Sequence, residues 1–119
     1  MPSNPVVLSC TGPSTNTGYP MWMPDTNMRP FAIGIGCVVN STGVSYQIEH
    51  TFDYNGNLSS DFTGWKSSLA TWFPNTGITA QSSNSNGNYA FPVSAIRLNV
   101  ISGSTLVGNS VTATLIQAG

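Results

Sequence analysis

Apolar and polar residues alternate with a period of two along three stretches of this chain, the mark of strands with one buried face. In residues 44–53, Val44, Tyr46, Ile48, His50 and Phe52 alternate with Ser45, Gln47, Glu49, Thr51 and Asp53. In residues 90–101, Ile96, Leu98 and Val100 stand against Arg97 and Asn99, and in 110–117 Val111, Ala113 and Leu115 stand against Thr112 and Thr114. Residues 31–40 (FAIGIGCVVN) are a β-branched run whose Gly34 and Gly36 predict a bent or bulged strand. Shorter strands are expected over residues 6–10 and 76–81 (TGITAQ), with turns at 41–43, 54–57, 82–88 (SSNSNGN) and 102–104. One segment has helical spacing: Phe62, Trp65, Leu69, Trp72 and Phe73 fall on one face between a capping Asp61 and a terminating Pro74. A loop with anchoring aromatics is the competing reading.

Strands recurring every 8 to 15 residues with Gly and Asn turns between them predict an all-β protein. The expected form is an antiparallel two-sheet β-sandwich of six to eight strands, jelly-roll or immunoglobulin-like. Pro2, Pro5, Pro13, Pro20, Pro24 and Pro30 make six of the eight prolines and all precede residue 31. They forbid a long helix and disfavour a central strand. The organisation expected is therefore an extended proline-rich arm over 1–30, serving attachment, and a sandwich over 31–119.

A length of 119 residues fits one core. Only 6% of the residues are charged, with a formal net charge of −1, so Ser, Thr, Asn and Gly carry the polarity. Arg29, Lys66 and Arg97 are isolated and form no basic run, which argues against nucleic-acid binding. No apolar stretch approaches the ~20 residues of a membrane-spanning helix. The opening MPSNPVVLSC lacks the basic and apolar regions of a secretory signal, so synthesis in a reducing cytoplasm is expected. Cys10 and Cys37 are then read as two buried thiols rather than a disulfide. A surface with so little charge does little to keep free molecules apart, which favours a protein covered in an assembly.

Few residues suit chemistry. His50 is the single imidazole, and alternation puts it on the face of Ile48 and Phe52, as a satisfied, half-buried histidine. Glu49 and Asp53 share the opposite face and are read as two solvated carboxylates. Gly34 and Gly36 lack the third glycine and following helix of a dinucleotide loop. No catalytic set, cofactor or metal ligand group is expected, and the protein reads as a non-enzyme. Tyr19, Trp22, Met23, Met28 and Phe31 stand among prolines as candidate anchors on a partner surface. Tyr54, Trp65 and Tyr89 would suit sugar recognition if exposed at loop ends.

The run Trp72-Phe73-Pro74, then Gly77-Ile78-Thr79-Ala80-Gln81, then residues 87–100 (GNYAFPVSAIRLNV), closing with 111–119 (VTATLIQAG), resembles small virion proteins of tailed bacteriophages. The resemblance covers residues 44–119. It implies a structural component of the phage particle, made in the host cytoplasm and located in the virion, of the capsid decoration or cement type. It also implies a β-sandwich body, binding to the major capsid protein, and an oligomeric arrangement with copies of itself. A tail- or fibre-associated receptor- or carbohydrate-binding module is the alternative.

Overall fold

The computed structural model describes residues 5–27, 30–40, 43–52, 71–103 and 110–118. These form eight strands and one helical turn: β1 (Val6–Thr11), α1 (Ser14–Thr17), β2 (Met21–Trp22), β3 (Ile33–Val39), β4 (Ser45–Thr51), β5 (Trp72–Pro74), β6 (Ser85–Tyr89), β7 (Ala95–Ser102) and β8 (Ser110–Gln117). Two four-stranded antiparallel sheets result, the first in the order β1-β8-β3-β6 and the second in the order β2-β7-β4-β5. The ladders nest: β4 pairs with β5, β3 with β6, β2 with β7 and β1 with β8.

Both sheets bury alternate residues into one shared core. Leu8, Cys10, Ile33, Ile35, Cys37, Val111, Ala113 and Leu115 come from the first sheet, and Tyr46, Ile48, Ile96, Leu98 and Val100 from the second. The periods of two in β4 and β8 therefore point where alternation predicts, with Val44, Tyr46 and Ile48, and Val111, Ala113 and Leu115, all buried.

Several local expectations are corrected by pairing. The ladders of β3 with β6 and β8 run unbroken through Gly34 and Gly36, so this strand has no bulge at its glycines. The register shift lies instead in β4, between Ser45 and Tyr46. Residues 85–88, part of the turn expected over 82–88, lie in β6, because the edge of β3 supplies hydrogen bonds that outweigh the turn preference of Asn and Gly. Residues 76–81 are a turn carrying isolated bridges at Asn75–Ile78 and Tyr46–Gln81 rather than a strand. Trp72 and Phe73 belong to β5, so the proposed helix does not reach them, and the rest of that reading (residues 61–70) lies outside the described residues. Asn75 pins the turn: it accepts from the Gly77 amide at 2.9 Å and donates to the Asn88 carbonyl at 3.1 Å. A Cβ at Gly87 would lie 3.0 Å from Ile78 Cδ1 and 3.1 Å from Asn75 Oδ1, so the turn packs on β6 only because that position has no side chain.

The described proline-rich segment is woven into both sheets. β1 pairs with β8 at six positions, and β2 pairs with β7 at Met21–Arg97 and Trp22–Ile96. Between them, Ser14 Oγ accepts from the Val100 amide at 2.8 Å, and the Pro20 carbonyl accepts from the Leu98 amide at 2.9 Å. Pro13 and Pro20 thus stand beside short elements, where a missing amide costs nothing.

Candidate functional site

Among the described residues, two clusters of polar and aromatic side chains lie one on each side of the second sheet. At one end of the core, His50 on β4 is buried, and its Nδ1 lies 2.8 Å from the Tyr89 hydroxyl on β6. Four aromatic rings surround it, with centroid distances of 4.9 Å to Tyr89, 5.2 Å to Phe52, 5.6 Å to Phe91 and 6.0 Å to Phe73. Burial holds the His50 pKa below its ordinary value, against the raising effect of Glu49. The imidazole is therefore neutral at pH 7. Burial pushes the Tyr89 pKa well up, so its hydroxyl stays protonated beside the neutral imidazole.

The same rings carry the most conspicuous surface feature. Phe52, Phe73 and Phe91 are 45–55% exposed, and their rings lie about 6 Å apart across Phe52–Phe73 and Phe52–Phe91. β4 ends just before Phe52, edge strand β5 presents Phe73 opposite His50, and the turn after β6 presents Phe91. The period of two predicted Phe52 on the buried face, and it lies on that side of the strand. It escapes burial at the end of β4, one residue beyond Thr51.

On the opposite face of the second sheet the structure corrects the reading of Glu49. It is buried, and its Oε1 receives Arg97 Nε at 2.6 Å. Its Oε2 accepts from Asn99 Nδ2 at 2.9 Å and from Gln47 Nε2. The Arg97 guanidinium sits between two rings, 4.1 Å from the Tyr19 centroid and 4.3 Å from the Trp72 centroid. Burial acts to raise the Glu49 pKa, but the hydrogen bonds from Asn99 and Gln47 and the Arg97 charge outweigh it and leave the carboxyl below its ordinary value. Period-two alternation cannot see this pair, since Glu49 and Arg97 meet only through the β4–β7 register. Asp53 lies outside the described residues.

The residues read as anchors are distributed as follows. Tyr19 stacks on Arg97, Trp22 packs against the main core, Met23 packs against Ala95, and Phe31 is buried. Met28 lies outside the described residues, as do Tyr54 and Trp65, while Tyr89 is buried beneath the phenylalanines. What the sequence reading missed is the Phe52, Phe73 and Phe91 cluster, whose members are scattered over 40 residues and converge only through the fold.

Cys10 and Cys37 are free, buried thiols. They sit on β1 and β3, with β8 between them, opposite Val111 and Ala113 respectively. Two strand spacings are about 10 Å, beyond the ~7 Å Cα limit of a disulfide. Burial pushes the Cys37 thiol up to about 11, with the Tyr46 hydroxyl as its hydrogen-bond partner. Both thiols are expected to stay reduced after prolonged aeration and to react with a thiol reagent only on unfolding. A mass decrease of two hydrogen atoms in the native, aerated protein would refute the spacing.

Comparison with known proteins ends without a relative: no family model, no curated protein and no solved structure matches this chain.

Proposed function

We propose that this protein is a non-enzymatic structural component of a tailed-phage particle, a capsid decoration protein whose body is a jelly-roll β-sandwich. The nested pairing of β4 with β5, β3 with β6, β2 with β7 and β1 with β8 supports the jelly roll over an immunoglobulin arrangement, because it is the pattern of one long hairpin rolled across two sheets. The resemblance of residues 44–119 to small virion proteins supports the location.

The observation that carries the adhesive role is the exposed trio Phe52, Phe73 and Phe91. Aromatic side chains, phenylalanine among them, are enriched in the cores of protein interfaces. Attachment to the major capsid protein belongs here, since Tyr19, Trp22, Met23 and Phe31 are already engaged within the chain. The trio exposes about 300 Å² of apolar surface, well short of the ~800 Å² per partner of a standard interface. A contact of that size is weak singly and strong when repeated over a symmetric shell.

Quantifying the protein in purified particles against the shell protein tests the location. A comparable copy number is the expected result, a few copies would replace decoration with the receptor-binding alternative, and absence would overturn both. For the surface, Phe73→Ser is expected to weaken binding to shells by about 30-fold, the equivalent of ~2 kcal/mol, with the melting temperature of the free protein within a few degrees. Unchanged binding would remove the trio from the interface.

A further inference from the structure

The four strands of the first sheet, VVLSCT, IGIGCVV, SNGNY and SVTATLIQ, contain no Asp, Glu, Lys or Arg. Their inner face is core, and among the described residues nothing packs across their outer face. Across it run Val7 and Ser9 on β1, Thr112, Thr114 and Ile116 on β8, Gly34, Gly36 and Val38 on β3, and Asn86 and Asn88 on β6, in an unbroken register. Val7, Val38 and Ile116 are 49–59% exposed. We propose that this face is a self-association surface, on which a second copy of the same chain docks through the same sheet about a two-fold axis.

Area and chemistry together select a second copy. Four strands at about 4.8 Å spacing and five to eight residues at about 3.3 Å give a footprint of roughly 19 by 22 Å in plan, and more in accessible area. In plan that is over half of the ~800 Å² per partner of a stable interface, and more than the phenylalanine trio offers. A charged partner surface would have its ions desolvated against a face that offers no counter-charge. Hydroxyls and amides, in contrast, supply donors and acceptors together, so the face is complementary to itself under a two-fold rotation.

The shape agrees. Gly34 and Gly36 form a trough beside the Thr112, Thr114 and Ile116 ridge of β8, and the trough ends in an open cleft of about 480 Å³ whose lining includes Gly34, Asn88, Ile116 and Ala118. Within the monomer nothing calls for glycine at 34 or 36: a Cβ at either meets no atom within 4 Å, and neither has a positive φ. Glycine in a strand interior weakens the strand, and its common cause is close approach of another backbone or ligand. The ridge of one copy fits the trough of the other.

Sedimentation velocity of the full chain between about 1 and 100 µM tests the proposal. The expected result is a two-chain species, with Gly36→Arg and Thr114→Arg each shifting it to monomer at unchanged circular dichroism. Phe73→Ser, on the other surface, is expected to leave the dimer intact. A wild-type chain monomeric throughout that range overturns the proposal. So does a dimer that survives both arginine variants, or one that Phe73→Ser dissociates. Because the two arginine side chains point into open solvent in the monomer, a folded monomer is expected of at least one. The outcome is independent of where the protein resides in a particle.

Discussion

A chain that begins at Phe31 is expected not to fold. Its loss would strip β1 from six ladder positions on β8 and β2 from β7. Leu8 and Cys10 would leave the shared core, and Trp22 would leave its margin. Removing one buried leucine side chain already costs about 2–5 kcal/mol, against a total of ~5–15 kcal/mol for a domain of ordinary stability. The hydrogen bonds would fail as well: the Val100 amide loses Ser14 Oγ, and the Leu98 amide loses the Pro20 carbonyl. At the end of β8, Gln117 loses its reciprocal pair with the Asp25 backbone, at 3.0 and 2.8 Å. Circular dichroism and amide dispersion in a proton NMR spectrum would read the result. A truncated chain that keeps a cooperative thermal transition would show that the proline-rich segment is an appendage.

Glu49→Ala is expected to be the most damaging single substitution, at about 3–5 kcal/mol in urea denaturation. It would leave the Arg97 cation between two rings with no counter-charge, at a position where the side chains of the pair are 8% and 10% exposed. Among the described residues Arg97 Nη1 already lacks a hydrogen-bond partner, so the ring faces and Glu49 are what compensate the charge. Replacing both residues by methionine is expected to recover much of the loss, because a buried pair exchanged for packed apolar side chains is often near neutral. The pair also sets an acid limb. The folded-state pKa of Glu49 lies below its unfolded value of 4.5, so its stabilisation is complete above that pH and is lost as pH falls through the folded value. Glu49→Gln should flatten that limb. A Glu49→Ala variant within 1 kcal/mol of the wild type would mean that solvent reaches the pair.

The strands that carry alternation were legible, and those that do not were hidden. Residues 110–117 are a strand at the predicted positions, as are most of residues 44–53 and 90–101, since one buried face imposes a period of two wherever a strand is half covered. β6 was illegible because SSNSNGNY has no apolar alternation: its hydrogen bonds to β3 decide its conformation, and Tyr89 alone anchors its end in the core. Glu49 was misread for a related reason. Alternation says which side of the sheet it occupies, and that the outer side is covered there depends on Tyr19 and Trp72 arriving from 30 and 23 residues away.

The amino-acid sequence by itself determined that this is one all-β protein with antiparallel strands, buried thiols and a nearly charge-free surface. Composition and the period of two are local properties, and they act before any strand finds its neighbour. Tertiary structure alone decided which strands pair, that the proline-rich segment supplies an edge to each sheet, and that Glu49 meets Arg97. It also decided that three phenylalanines converge around His50 on one surface. Each of those outcomes depends on contacts between residues far apart in the chain, and their free energy exists only once both sheets close on a common core.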